Sequence, residues 1–491
     1  GAGGLSSSVG EMARLCGGAE LHLERAPLKY AGLAAWEILL SEAQERMTLA
    51  VPPEKLEAFL DLCRQREVEA TDLGSFTDSG VLHLLHQGRP VGALEMDFLH
   101  EGLPRMELEA RWEQPEWPEP ELTEPGGPLG ETLLALLARY NICSKEAVVR
   151  QYDHEVQAAT VVKPFIGARS DGPSDASVIR PLPDSSRGVA IGCGIIPRYS
   201  DLDTYHMAAC CLDEAVRNVV AVGARPDRIA ALDNFCWPDP VQSGKTPDGS
   251  YKLAQLVRAC RALYDYCSAF GVPLISGKDS MKNDYGSGAE KISIPPTLLV
   301  TAVGIIDDIN NAVTMDVKRP GDLVYVVGES FDECGGSEYF AMLGSVGSGV
   351  PRVDAARSQA VFRAVHQAIN GTLVASCHDL SDGGLGVALA ESALAGDLGM
   401  EVDLSLVPGA DNFEHDDRLF FSESQGRFAI TVQPEKSDRF EKIMAQVPCA
   451  RVGVVTSEPV FAVRSRQPDR PGLVNLSVEL LRKAWQNTLD W

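Results

Sequence analysis

Hydrophobic positions change their period along the chain, and the changes divide it into blocks. Leu21 and Leu23 alternate with Glu20 and His22, and Val402 and Leu404 alternate with Glu401 and Asp403, a two-residue period that predicts half-buried strands. Val81-Leu82-His83-Leu84-Leu85 and Pro90-Val91-Gly92-Ala93-Leu94 predict two more strands, closing a block of helices and strands that runs from residue 1 to about 110. Trp112-Glu113-Gln114-Pro115-Glu116-Trp117-Pro118-Glu119-Pro120-Glu121 follows, acidic and rich in proline. Proline lacks a backbone donor, so this stretch supports neither helix nor central strand and reads as a linker. Helical periodicity resumes over 130–138, and 145–156 is expected to pack at a domain edge.

From about 157 to 312 strands and helices alternate. Strands are expected at 175–180, 188–192, 230–235 and 273–280, and helices at 205–222, stopped by Gly223 and Pro226, and 250–270. Polar residues stand at the strand ends, as in layered α/β or α+β domains. Gly321-Asp322-Leu323-Val324-Tyr325-Val326-Val327-Gly328 opens a last block whose C-terminal part, 427–432 and 450–455, reads as edge-like strands.

The first and last blocks repeat one another. Gly1-Ala2-Gly3-Gly4-Leu5 with Glu11-Met12-Ala13 matches Gly383-Gly384-Leu385 with Glu391-Ser392-Ala393. Leu40-Ser41-Glu42-Ala43-Gln44-Glu45-Arg46-Met47 matches Phe421-Ser422-Glu423-Ser424-Gln425-Gly426-Arg427-Phe428. Two signatures at nearly equal separation point to a duplicated domain, far longer than a solenoid repeat. Because the chain enters the repeat midway at Gly1, it is expected to be part of a longer protein.

Composition narrows the function classes. A chain of 491 residues that is 45% apolar has room for about three domains. No run is long and apolar enough to cross a bilayer as a helix. Twelve cysteines are scattered without CxxC pairs, as expected of reduced thiols in a cytoplasmic protein, and adjacent Cys210 and Cys211 are expected to pack in a core. A formal charge of −25 argues against a broad nucleic-acid footprint, while small anions can still be met locally by glycine N–H groups, a cation and a few lysines. No nucleophilic triad is legible.

Candidate chemistry gathers around His378-Asp379-Leu380-Ser381-Asp382-Gly383-Gly384-Leu385-Gly386. Gly383 and Gly384 would let backbone N–H groups approach phosphate oxygens, Ser381 offers a hydroxyl, and Asp379 can hold a hard cation; the same composition also suits a plain helix cap. Glu214 and Asn218, four apart, share one face of an apolar helix, and either cap that face or hold a metal jointly with Asp175 and Asp379, an oxygen set suited to Mg²⁺. Asp233, Gly277, Lys278 and Ser280 stand at two strand ends, either as polar turns or as contacts to phosphate and ribose. His378 is a base beside Asp379 or a satisfied loop residue.

Together with Tyr140-Asn141-Ile142-Cys143-Ser144-Lys145-Glu146, these motifs resemble the synthetase part of the phosphoribosylformylglycinamidine synthase family, in its C-terminal portion. The resemblance implies duplicated domains of the aminoimidazole ribonucleotide synthetase (PurM-like) type, α+β or α/β, in pseudo-symmetric arrangement. Residues 1–111 would be the truncated C-terminal domain of the first half, 112–156 a linker with a helix, 157–312 the N-terminal, ATP-binding-type domain of the second half, and 316–491 its C-terminal domain. It implies substrate contacts at Glu42, Gln44 and Ser280, with Ala43 where the family's signature has Ser. Nucleotide contacts are implied at Asp233, Gly277, Lys278, Ser381, Gly383 and Gly384, and Mg²⁺ ligands at Asp175, Glu214, Asn218 and Asp379 in an auxiliary site holding a structural ADP. No catalytic residue is expected within the chain, because the family's catalytic histidine and much of its ATP site would lie in the missing N-terminal part. The implied reaction joins formylglycinamide ribonucleotide and ammonia at the expense of ATP, with a glutaminase subunit or domain as partner. Alternatives are a related synthetase or kinase of the same fold, and a nucleotide-stabilised structural half without turnover of its own.

Overall fold

The computed structural model describes residues 3–120, 128–155, 157–286, 291–467 and 472–489. Gly1 and Ala2 of the first glycine motif and the end of the expected linker, 121–127 and 156, lie outside them, as do 468–471, 490 and 491 of the last expected domain. Two compact units emerge, Gly1–Glu107 and Leu108–Trp491.

The first unit is a four-stranded sheet with helices packed on it. Its strands are β1 (Gly18–His22), β2 (Gly74–Thr77), β3 (Val81–His86) and β4 (Arg89–Glu95), in the order β2-β1-β3-β4. β1 runs parallel to β3 and antiparallel to β2, and β3 pairs antiparallel with β4. Alternation buries Ala19, Leu21, Leu82 and Leu84 against the helix Leu5–Ala13, whose Leu5, Val9 and Ala13 complete a small core.

The second unit carries two larger sheets. In the first of these, β5 (Thr160–Val162), β6 (Ser177–Ile179), β7 (Gly188–Gly194), β8 (Ile229–Cys236), β9 (Leu274–Ser280) and β12 (Thr297–Ile306) lie in the order β5-β6-β7-β12-β8-β9, while β10 (Asp284–Tyr285) and β11 (Ile292–Ser293) form a separate pair. The helix Thr204–Ala221 covers this sheet. Asp203 caps it by accepting a hydrogen bond from the Tyr205 N–H, and Cys210 and Cys211 are buried in its packing, as their sequence context indicates.

The last sheet comprises β13 (Leu323–Val327), β14 (Val374–Asp379), β15 (Gly399–Asp403), β16 (Phe428–Val432), β17 (Cys449–Thr456), β18 (Val460–Arg464) and β19 (Val474–Ser477), ordered β14-β16-β13-β17-β15-β18-β19. Residues 427–432 and 450–455 are therefore interior strands, not edge-like ones. β16 is flanked by β14 and β13 and buried along its whole length, and β17 lies between β13 and β15.

Within this sheet β17-β15-β18-β19 repeats the first unit's β2-β1-β3-β4, down to the parallel pairing of β15 with β18 and the antiparallel pairs on either side. The helices repeat too: Gly384–Gly396 stands where Leu5–Ala13 does, Asp416–Phe421 where Ala35–Leu40 does, and Ser437–Met444 where Leu56–Gln65 does. One difference is informative. Residues 47–51, the counterpart of β16, form no strand: β16 pairs with β13 and β14, and the first unit's described sheet has no strands in those places; Met47 is left 84% exposed.

The acidic, proline-rich stretch has no regular structure but is well anchored. Trp112 stacks on Tyr251 at 5.4 Å between ring centres and lies 4.4 Å from the Arg258 guanidinium. The Arg111 N–H donates to the Ser250 carbonyl (3.0 Å), Gln114 Nε2 to the Leu202 carbonyl (3.1 Å) and Trp117 Nε1 to the Asp201 carbonyl (3.0 Å).

Candidate functional site

β14 delivers His378 and Asp379 into the interior, and the chain then turns through two left-handed glycines, Gly383 at φ 76° and Gly384 at φ 65°. A Cβ on Gly384 would lie 2.2 Å from the Ser422 carbonyl oxygen, so the turn can close on the segment after the helix Asp416–Phe421 only with glycine here. Glu423 fixes the turn. Its Oε1 accepts from the N–H groups of Gly383 (2.8 Å) and Glu338 (2.9 Å), and its Oε2 from the Tyr199 hydroxyl (2.8 Å).

This arrangement corrects one expectation about the glycines. The Gly383 N–H is taken by Glu423 and the Gly384 N–H by the Ser381 carbonyl at 2.9 Å, so neither donor stands open to a phosphate oxygen. The glycines here serve close backbone approach.

Around the turn lies a concentration of buried acids. Asp175, just before β6, accepts from His378 Nδ1 (2.8 Å) and from the Asp379 N–H (2.9 Å) through one oxygen, while its Oδ2 is buried with no hydrogen-bond partner. His378 Nε2 lies 3.1 Å from Glu391. Burial opposes a charge on His378, but Asp175 and Glu391 outweigh it and hold its pKa well above the usual histidine range. One ligand atom each of Asp175, His378 and Asp379 lies within 4.8 Å of the others.

The helix Thr204–Ala221 adds three groups from one face. Glu214 Oε2 accepts from the Ile195 N–H (3.0 Å), and Asn218 Nδ2 donates to the Cys193 carbonyl (2.8 Å), which leaves the Asn218 Oδ1 as the atom it can offer a cation. Arg217, fully buried, reaches Asp379 Oδ2 (3.2 Å), Gln425 Oε1 (2.8 Å) and Asp213. Arg217 and His378 do not offset the acids. Burial, reinforced by Asp379, pushes Glu214 up to about 8; burial, helped by Asp175 and opposed by Arg217, holds Asp379 at about 6; burial raises Glu423 to about 7 against its backbone donors; and Asp382 is pushed well above the carboxylate range by burial and by Glu423.

An all-oxygen set, an unpartnered buried oxygen on Asp175 and uncompensated negative charge are what a hard divalent cation requires. Of the expected set, Asp175 and Asp379 come together with His378, while Glu214, near enough to feel the Asp379 charge, and Asn218 stand on the helix Thr204–Ala221. Asp382, Glu423 and Arg217 belong to the same centre and were not singled out from the sequence, although Glu423 sits in the repeated Ser-Glu-x-Gln signature.

The second group assembles separately. Asp233 on β8 and Gly277 on β9 are register partners, and a Cβ on Gly277 would come within 2.6 Å of Asp233 Oδ1, so glycine keeps that carboxylate accessible. Burial raises the Asp233 pKa, with Asp279 adding to it. Lys278 contacts the Ser280 hydroxyl, and β9 is exposed along nearly its whole length. Gly194 and Asp233 both face Val300 of β12, so this group stands across the sheet from the acidic centre by roughly 14 Å, three strand spacings to Gly277.

Glu42 and Gln44 lie in the first unit, where the turn is built a second time. Gly3 (φ 80°) and Gly4 (φ 62°) are again left-handed, the Gly3 N–H donates to Glu42 Oε1 at 2.8 Å, and Arg46 Nη2 donates to the Ser41 carbonyl at 2.5 Å as Arg427 Nη2 does to Ser422 at 2.6 Å. A small cavity of about 120 Å³ opens beside it, lined by Gly4, Ser8 and Arg46 among others.

Comparison with known proteins places these features. The AIR synthase related protein C-terminal domain matches residues 1–87 and again 319–466, and the corresponding N-terminal domain matches 173–306. The phosphoribosylformylglycinamidine synthase subunit PurL of Caldanaerobacter subterraneus is 32% identical over all of this chain and 64% of its own length. That of Parasynechococcus marenigrum is 35% identical over all of this chain and 64% of its own length, and that of Methanothermobacter marburgensis 34% over 92% and 60%. Among solved structures, T. maritima PurL complexed with ADP aligns with a TM-score of 0.60 at 22% identity, covering 93% of this chain and 63% of that one. The complex with FGAR aligns at 0.54 and 21%, covering 72% and 53%. The chain thus spans about three fifths of the length of the curated relatives it matches. With one C-terminal domain type matched twice and the N-terminal type between, the chain belongs to the AIR synthase related family, in a duplicated form similar along its length to phosphoribosylformylglycinamidine synthase subunit PurL.

Proposed function

We propose that the chain is the C-terminal portion of a cytoplasmic, ATP-dependent carbon–nitrogen ligase of purine biosynthesis that converts formylglycinamide ribonucleotide and ammonia to the amidine, ADP and phosphate. The observation that carries this reading is the turn built twice with the same Gly-to-Glu hydrogen bond, in a chain similar throughout to PurL. In the proposed division, 1–111 is the C-terminal domain of one half, 112–156 the connection, 157–312 the N-terminal domain of the other half and 316–491 its C-terminal domain.

In the proposed chemistry the terminal phosphoryl of ATP passes to the amide oxygen, ammonia adds to the activated carbon, and phosphate leaves with that oxygen. Glu42, Gln44 and Ser280 would orient the ribonucleotide, and Asp233, Gly277 and Lys278 would meet nucleotide at the β8–β9 edge, Lys278 as a point charge toward phosphate. Asp175, Glu214, Asn218 and Asp379 would hold Mg²⁺ beside a structural ADP, with Ser381 and the Gly383–Gly384 turn against the nucleotide. Bound there, the ion would neutralise phosphate oxygens and the surrounding acids. The proton-transferring histidine and the ammonia source, a glutaminase, would come from the remainder of the enzyme; a solved structure similar in fold is that of PurLQS from Thermotoga maritima.

The test is ammonium-dependent ADP release with formylglycinamide ribonucleotide, on this chain alone and with the remaining synthetase portion supplied. Turnover only in the second case is expected. If neither turns over while Mg-ADP still binds, the chain is a nucleotide-stabilised structural half, and the substrate roles of Glu42, Gln44 and Ser280 fall.

A further inference from the structure

A cleft of about 400 Å³ lies away from both groups above. It opens at the far end of the β7–β12 pair. Gly188 pairs with Ile306 at that end and Gly194 with Val300 at the other, so the cleft stands roughly 20 Å along the strands from the backbone that contacts Glu214. Leu182, Val189 and Ile305 provide apolar wall, and Arg187, Arg225 and Arg228 converge on it.

Those three arginines differ in what occupies them. Arg225 is saturated: Nε and Nη2 engage both oxygens of Asp227 (3.0 and 2.8 Å), and Nη1 engages Asp307 (3.2 Å). Among the described residues, Arg187 and Arg228 make no side-chain hydrogen bond and no ion pair. Asp307 also lines the cleft and Asp227 lies near Arg228, but both carboxylates are engaged by Arg225, so in a chain of net charge −25 the cleft keeps two guanidiniums with no direct carboxylate partner.

The backbones that present them are fixed. The Arg187 N–H is held by Ser185 Oγ (3.1 Å), and the Ile309 N–H binds the neighbouring Ser186 carbonyl (2.8 Å). On the other wall, the Arg225 N–H donates to the Ile305 carbonyl (2.9 Å) and the Ile305 N–H to the Arg228 carbonyl (3.1 Å), tying the 225–228 turn to the end of β12. Leu182, 62% exposed, forms an apolar lip.

We infer that this cleft binds a phosphomonoester with an apolar or planar body. Arg187 and Arg228 offer unused guanidinium donors to the three oxygens of a phosphomonoester, and guanidinium geometry suits phosphate oxygens. A monocarboxylate has two acceptor oxygens where a phosphomonoester has three, so it serves the two guanidiniums less fully. The volume lies within the range of small-molecule sites, and the apolar wall has no use for inorganic phosphate alone.

The experiment titrates phenyl phosphate, inorganic phosphate and benzoate into the full chain with a chelator present, so that metal-dependent nucleotide binding does not contribute, and repeats each titration on R187A/R228A. Phenyl phosphate is expected to bind more tightly than either other probe and to weaken about tenfold or more in the double variant, as loss of charged hydrogen bonds predicts. Each single substitution should fall between. An unchanged thermal midpoint in the variants, whose substituted side chains are exposed, shows that the fold is intact. Failure of phenyl phosphate to bind, or binding unaffected by the double substitution, overturns the site. Inorganic phosphate or benzoate binding as tightly as phenyl phosphate overturns the ligand class.

Discussion

At the residue scale, the acidic centre sets a pH dependence whose direction follows from its pKa shifts. Glu214 at about 8, Glu423 at about 7 and Asp379 at about 6 all lie above their ordinary values. The folded protein therefore holds more protons than the unfolded chain from about pH 4 to pH 8, and the stability this centre contributes is present at the acid end and lost as pH rises through those values. Without divalent cations the thermal midpoint should fall over that window, and the gain produced by Mg²⁺ should grow with pH, because the ion binds the ionised acids. A Mg²⁺ effect independent of pH would count against the centre as a cation site. D379N should lose the Mg-ADP stabilisation, about 2.7 kcal/mol at a hundredfold excess over Kd, read as an ADP-dependent shift of the melting curve. Glu214 and Asn218 were legible as buried polar groups because, four apart on an apolar helix, they need partners, which the Ile195 N–H and the Cys193 carbonyl supply. Asp382 and Arg217 were not, since nothing in a linear pattern shows which of several buried charges face each other across three elements. The expected phosphate-binding role of the Gly383 N–H failed for a similar reason: the glycines were visible, but their acceptor, Glu423, lies forty residues away.

At the element scale, the two glycine turns support a direct comparison. Gly384→Ala forces a left-handed alanine and a Cβ 2.2 Å from the Ser422 carbonyl, and Gly4→Ala does the same at 2.4 Å from the Ser41 carbonyl. Strain of that kind costs about 3 kcal/mol, so each variant should lower its denaturation midpoint, and a neutral substitution at Gly384 would mean the turn is not held as described. The anchored acidic stretch makes a second case. Trp112→Ala removes the stack on Tyr251 and the Arg258 contact, worth about 1 kcal/mol, and limited proteolysis should then cut within 108–120 faster than in the parent. The helices Thr204–Ala221 and Gly249–Phe270 were readable almost to the residue, since each combines length, periodicity and a glycine stop. β12 had no counterpart among the expected elements even though it is central to its sheet. Thr297-Leu298-Leu299-Val300-Thr301-Ala302-Val303 is apolar on one face and mixes Thr with Leu and Val on the other, and so mostly apolar a run does not announce its period. The interior position of β16 and β17 was hidden too, because which strands flank a given strand is a property of sheet order, which composition does not encode.

At the scale of the whole molecule, the duplication was the most legible feature, because it requires only that the chain be compared with itself. The repeated topology, parallel β1–β3 beside parallel β15–β18, gives it a structural form, and the twice-matched C-terminal domain gives it a family. What the self-comparison could not reach is where each copy's active partners sit, since the relatives extend well beyond this chain. The proposed reaction makes a claim about atoms that does not depend on those boundaries: the oxygen leaving with phosphate is the substrate's amide oxygen. The deciding measurement supplies formylglycinamide ribonucleotide carrying a heavy oxygen isotope in that amide to this chain combined with the remaining synthetase portion, ATP and ammonium, and determines the isotope content of the released phosphate. Label recovered in the phosphate, in step with amidine formed, is the expected result. Unlabelled phosphate, or ATP cleavage with the labelled amide left intact, would contradict the assignment of this chain to an amide-activating ligase.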